Sequence, residues 1–186
     1  MMITPQKHRF NVSDWHQLGE KNFFLPDARM ELIEGEIIDM VPIGSSHGGR
    51  VKWLTQFFVT QLVGSAIVSV QDPVQLGNFS EPQPDLMILR PELHFYSKRH
   101  PTPTDVLLLI EVSESTLHYD RHTKVPLYAR HGIIETWIVN LEQNCIEIYL
   151  KPQELGYQEK HIFQRGEVII PSQLAQIKVI VAEVFS

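Results

Sequence analysis

The feature that most constrains this chain is the run Asp105-Val106-Leu107-Leu108-Leu109-Ile110-Glu111-Val112. Its unbroken aliphatic stretch leaves no polar face for solvent, so it reads as a central strand covered on both sides. Such a strand needs partners, and β-prone runs at residues 66–70, 86–89, 135–140 and 146–150 supply them. Val51, Leu54, Phe58 and Leu62 recur at three- and four-residue intervals, predicting an amphipathic helix entered through Ser45-Ser46-His47 and ending near Gly64. A second helix is expected from about Asp120 or Thr123 to Arg130, closed by Gly132, with Pro126 fitting in a first turn and otherwise imposing a kink. Residues 30–34 and 36–41 flank Gly35 as a hairpin, and a short helix capped by Ser13 and carrying Trp15 and Leu18 precedes it. The order predicts an α/β fold: a mixed central sheet flanked by helices, with an N-terminal helix and a β-hairpin.

No repeat, low-complexity tract or long linker divides the 186 residues, so one domain over 1–186 is expected, with 1–12 as a flexible N-terminal tail. Roughly 70% of the surface of a chain this long is buried on folding, enough for a core without disulfide or metal staples. Cys145 is the single cysteine, and Met1 to Lys7 lack the apolar core of a secretion signal. A cytoplasmic setting is therefore expected, with no membrane partner, because the aliphatic run falls far short of the roughly 20 residues a spanning helix needs. The net charge of -6 counts against a simple basic nucleic-acid binder. It leaves open an enzyme acting on phosphates, since bound divalent cations and a local basic patch reverse the field where it matters.

Two acids at the edges of core strands carry the chemistry. Asp85 precedes the strand at 86–89, and Glu111 closes the aliphatic run. If those strands are neighbours, the carboxylates meet, and a divalent cation is an effective partner for carboxylates beside a core. Mg²⁺ takes hard oxygen ligands, commonly one or two carboxylates with water and substrate phosphate. Lys124, on the following helix, has the reach to orient an attacking water and offset charge on phosphate. Each residue has a plainer reading as well: Pro84-Asp85 as a strand-entry pair, Glu111 as a salt-bridge partner of Arg121 or Lys124, and Lys124 as a solvated helix residue. The loop at 91–104 interleaves Phe95 and Tyr96 with Lys98, Arg99 and His100, and suits either a DNA backbone or solvent. His118 and His122 lack the His-Glu-x-x-His order, so zinc is not expected there.

Pro84-Asp85 followed by Glu111-Val112-Ser113 resembles the Asp and Glu positions of the PD-(D/E)xK nuclease superfamily, with Ser113 where the Lys usually stands. The stretches Met30-Glu31-Leu32-Ile33-Glu34-Gly35-Glu36, Ile110-Glu111-Val112-Ser113-Glu114-Ser115-Thr116, Tyr119-Asp120-Arg121-His122-Thr123-Lys124 and Leu127-Tyr128-Ala129-Arg130-His131-Gly132-Ile133 resemble the bacterial Uma-two family of restriction-endonuclease-like proteins, over about residues 13 to 150. The resemblance implies a restriction-endonuclease-like fold, a displaced Lys matching Lys124, and an acidic hairpin residue matching Glu31. His47 and Asp120 fall in similar segments as auxiliary candidates.

The reading that follows is a Mg²⁺-dependent DNA endonuclease, with Mn²⁺ as an alternative ion. Asp85, Glu111, Lys124 and Glu31 would be catalytic; Asp85, Glu111 and the Val112 carbonyl would hold metal; Lys98, Arg99 and Arg121 would contact DNA. A homodimer would provide two active sites for two strands. The alternative is a nucleic-acid-binding or assembly module that keeps the fold and cleaves nothing; a weaker third reading is a hydrolase of small phosphate esters.

Overall fold

The computed structural model describes residues 7–186. Its centre is a six-stranded sheet in the order β3 (Ile67–Val70), β4 (Leu86–Leu89), β5 (Val106–Ser113), β6 (Glu135–Asn140), β7 (Cys145–Gln153) and β8 (Gly156–Phe163). All eight residues of β5 are buried, as its aliphatic run requires. The sheet is mixed: β5 and β6 are parallel and every other neighbouring pair is antiparallel. A parallel pair cannot be joined by a tight turn, and the helical crossover at residues 117–130 makes the connection.

Before the sheet come α1 (Val12–Glu20), the hairpin β1 (Met30–Ile33) and β2 (Glu36–Asp39), and α2 (Ser45–Gln61). The hairpin turn is Glu34-Gly35, both at positive φ (49° and 83°), the signature of a two-residue turn whose twist matches the strands. A Cβ on Gly35 would also lie 2.7 Å from Arg9 Cβ. The cap of α1 is Asn11 in a capping box with Asp14, not Ser13. Residues 1–6 of the expected tail lie outside the described residues. Residues 7–12 are held: Phe10 N–H donates to Gly35 O at 3.0 Å and Val12 N–H to Asn78 O at 2.8 Å. The chain ends in a small hairpin, β9 (Val168–Ile169) with β10 (Val179–Ile180), and α5 (Val181–Val184).

Core packs on both faces of the sheet. Val51, Leu54 and Phe58 of α2 meet Leu86, Ile88, Leu108 and Ile110, while Trp53 stacks on Phe57 at 5.3 Å at the margin of the same cluster. Leu127 and Tyr128 cover Met87, Leu89 and Leu109 on the opposite face. No helix among the described residues is long and apolar enough to cross a membrane.

The crossover begins earlier than the sequence predicts. It runs through α3 (Leu117–Tyr119), a π turn (Asp120–Lys124) and α4 (Val125–Arg130). Pro126 therefore lies inside the helical run, directly after the π turn, where the ladder is already interrupted.

Glu147 of β7 fastens this crossover to the sheet. It is fully buried and accepts from Arg121 Nε at 3.1 Å, with Arg121 Nη2 making a second contact, from Tyr149 Oη at 2.6 Å, and from Lys160 Nζ at 2.7 Å. Burial alone would raise this carboxyl, but the bonds from Arg121, Lys160 and Tyr149 outweigh it and hold the pKa down at about 2. A carboxyl depressed in the fold contributes stability that is present above its ordinary pKa of 4.5 and fades as pH falls toward 2. Glu147→Gln is expected to cost about 2 kcal/mol at neutral pH. Urea melts at stepped pH should show the gap from the parent chain closing between pH 4.5 and 2.

Candidate active site

Strand parity brings the two acids together. Met87 and Leu89 point to the α4 face of β4, so Asp85, two residues before Met87, falls on that face too. The register pairs Leu86 with Ile110, and one step further sets Asp85 opposite Glu111. Asp85 N–H donates to Glu111 Oε2 at 3.3 Å, and Val112 N–H donates to Asp85 Oδ2 at 2.9 Å.

The crossover and the hairpin complete the cluster. Lys124 Nζ lies 3.0 Å from Glu111 Oε1 and 3.2 Å from Glu31 Oε2. Gln83 N–H holds the same Glu31 oxygen at 3.1 Å. Tyr128, one helical turn past Lys124, donates its hydroxyl to Glu111 Oε1 at 2.5 Å. His47, near the start of α2, sits with Nε2 2.9 Å from Asp85 Oδ2, and Gln71 donates to Asp85 Oδ1 at 3.2 Å. Asp120 accepts from the hydroxyls of Ser113 and Thr116, both at 2.7 Å. Ser113 thus anchors the turn that carries Lys124.

Glu31, His47, Asp85, Glu111, Asp120 and Lys124 all line one cavity of about 330 Å³, as does Val112. Two polar atoms beside it are buried with no partner among the described residues, His47 Nδ1 and the Tyr119 hydroxyl. The cavity is therefore polar and incompletely satisfied from within.

Its electrostatics are lopsided. Four buried carboxylates, Glu31, Asp85, Glu111 and Asp120, gather around the Lys124 ammonium and the His47 imidazole. Burial pushes the Glu111 carboxyl up, Lys124 opposes this, and the charges of Asp120 and Asp85 add to the rise, leaving it at about 8. Burial would pull Lys124 down, but Glu111, Glu31 and Asp120 outweigh it and keep the ammonium charged. Burial would raise Asp85; its bond to His47 and the charge there hold it below the usual carboxylate value. His47 is correspondingly raised, its bond to Asp85 overcoming burial. Asp120 is raised chiefly by burial.

This donor set fits a hard divalent cation. Asp85 and Glu111 present oxygens side by side, and a cation between them would favour the ionised form of the Glu111 carboxyl. Hard divalent cations take such carboxylate oxygens, with water completing the coordination.

The basic residues expected to contact DNA lie outside the cavity lining. Arg121 is committed to Glu147 and is not the partner of Glu111. Arg99 forks onto Asp105 at 2.6 and 3.0 Å, and Lys98 is exposed in the same loop. The sequence reading missed Tyr128, Gln71 and Gln83. Tyr128 had a signal, four residues after Lys124 on one helix face; the two glutamines lie in irregular segments with none.

A family described as "Putative restriction endonuclease", Uma2, matches residues 13–182. A solved structure described as a putative nuclease belonging to DUF820 from Anabaena variabilis shares the fold, with a TM-score of 0.72 and 15% identity over 95% of this chain and 97% of its own. No curated protein matches the chain significantly.

Removing Lys124 leaves Glu111 and Glu31 buried without their cation. Lys124→Met is expected to destabilise by about 3 kcal/mol. Adding Glu31→Gln should cost less in that background than in the parent chain, and a double-mutant cycle by denaturant melts measures the coupling.

Proposed function

The chain belongs to the Uma2 family, whose description is "Putative restriction endonuclease", and on that premise we propose that it is a Mg²⁺-dependent DNA endonuclease hydrolysing phosphodiester bonds at the Asp85, Glu111 and Lys124 cluster. The observation that carries the reading is the convergence of these three side chains, from two neighbouring strands and the crossover helix, on one cavity.

Asp85 and Glu111 would hold the ion, with the Val112 carbonyl at the same strand end; Mn²⁺ would serve in place of Mg²⁺. The bound ion supplies Lewis acidity toward a phosphoryl oxygen and offsets negative charge. Lys124, kept as an ammonium by its acidic neighbours, positions the attacking water and stabilises charge on the phosphate. Glu31 holds Lys124 from the hairpin side, and Tyr128 fixes Glu111 in one orientation. His47 orients Asp85. Arg99 and Arg121 are already forked onto carboxylates, so Lys98 is the stronger candidate for a DNA phosphate contact. Cutting both strands calls for two such centres, which a homodimer would bring.

One observation favours the alternative, a nucleic-acid-binding or assembly module without catalysis. Glu111 Oε1 is already taken by both Lys124 and Tyr128. Nicking of supercoiled plasmid separates the two. The parent chain should nick with Mg²⁺ or Mn²⁺ and stop with chelator, while Glu111→Gln and Asp85→Asn, folded by circular dichroism, should lose at least roughly 100-fold in rate. Cleavage unchanged in folded Glu111→Gln refutes the site; no nicking and no Mg²⁺ or Mn²⁺ uptake dependent on Asp85 and Glu111 favours the non-catalytic module. Hydrolysis of model diesters with DNA left intact would point to small phosphate esters.

A further inference from the structure

We propose that His16, Glu81 and His100 form a second metal site, separate from the Asp85 and Glu111 centre, that takes Zn²⁺. The ligating atoms of the three residues all lie within 4.8 Å of one another, the one such group of three among the described residues. His16 Nε2 is 2.8 and 3.0 Å from the two oxygens of Glu81, and the His16 and His100 rings are 5.7 Å apart.

Glu81 is the informative member. Its side chain is 2% exposed, yet among the described residues the His16 imidazole is the only group that bonds its carboxylate. A buried carboxylate normally gathers cationic partners or several donors. Here two imidazoles gather about it, and among the described residues no Lys or Arg is paired with it. Two His and one Glu make a recurrent zinc ligand set, with a fourth position left to water. Imidazole ligation disfavours Mg²⁺, which takes oxygen, and so separates this site chemically from the acidic one.

The three ligands come from distant parts of the chain, which is why no local motif announces them. His16 lies on α1, His100 closes the loop after β4, and Glu81 lies in the segment that bridges to β1. Glu81 exchanges backbone bonds with Leu32, at 2.7 and 3.4 Å, and Gln83, two residues on, holds Glu31. An ion here would tie the N-terminal helix and the proline-rich loop to the segment that supports the hairpin acid. The site stands whether or not the acidic site cleaves DNA.

Equilibrium dialysis of metal-stripped protein against micromolar Zn²⁺ in millimolar Mg²⁺ tests the site. The parent chain and Asp85→Asn should each bind about one equivalent of Zn²⁺. His16→Gln and His100→Gln should each bind more weakly by at least roughly the 10–100-fold that even an outer-sphere partner contributes. Zn²⁺ should raise the Tm of the parent and not of these variants. Co²⁺ in its place should give visible bands of an imidazole-ligated ion that vanish in both. The two His lie on partly exposed surface, so a misfolded His16→Gln sample would leave His100→Gln to decide. No Zn²⁺ uptake, uptake indifferent to both His substitutions, or uptake lost in Asp85→Asn would overturn the proposal.

Discussion

Four carboxyl groups buried around one ammonium, beside a strand whose eight residues are all buried, set the terms for the rest of this structure. Lys124 reaches only two of them directly, Glu111 and Glu31. The others are satisfied by different means: Asp85 by His47, Gln71 and a backbone amide, Asp120 by two hydroxyls. Charge of this density would be costly in a dry core, and the fold places it against a cavity instead. The apolar cores on the two faces of the sheet make that arrangement affordable, and a divalent cation would relieve it.

Much of this was legible in the sequence because sheet geometry is arithmetic. The aliphatic run at 106–110 demanded a central strand, and period two on β4 and β5 put Asp85 and Glu111 on one face once the strands were neighbours. The hairpin followed from Gly35, whose positive φ its turn uses. The helix at 45–61 followed from its apolar spacing, although its first turn has no side-chain cap. What stayed hidden depends on contacts between distant segments. Arg121 looked like a partner for Glu111 or for DNA, and nothing local announced that Glu147, 26 residues on, would claim it. The boundary of the crossover was misplaced for a related reason. Ser113 and Thr116 tie down Asp120, which stabilises a helical start that propensity alone does not favour.

The distribution of charge explains how a chain of net charge -6 could serve a polyanionic substrate. Two of the three basic side chains expected to contact DNA are already paired with carboxylates, Arg121 with Glu147 and Arg99 with Asp105. The cavity itself is lined by more acids than bases, with Arg29 and Lys124 as its basic residues. In the proposed endonuclease, substrate binding would be coupled to occupancy by the metal, because an ion there would change the sign of the local field.

The π turn has a geometric purpose in this arrangement. In an α-helix each step of four residues overshoots a full turn by about 40°, so Asp120, Lys124 and Tyr128 would fan out by about 80° if the ladder were regular throughout. Asp120 must meet Ser113 and Thr116, Lys124 must lie between Glu31 and Glu111, and Tyr128 must reach Glu111 from the core side. Widening the turn over Asp120–Lys124 takes up much of the overshoot on the first step and leaves the second to carry Tyr128 down into the core. The same interruption admits Pro126, whose missing N–H would otherwise break a regular ladder. A single irregular turn thus reconciles a proline within a helix with three polar side chains aimed at one site.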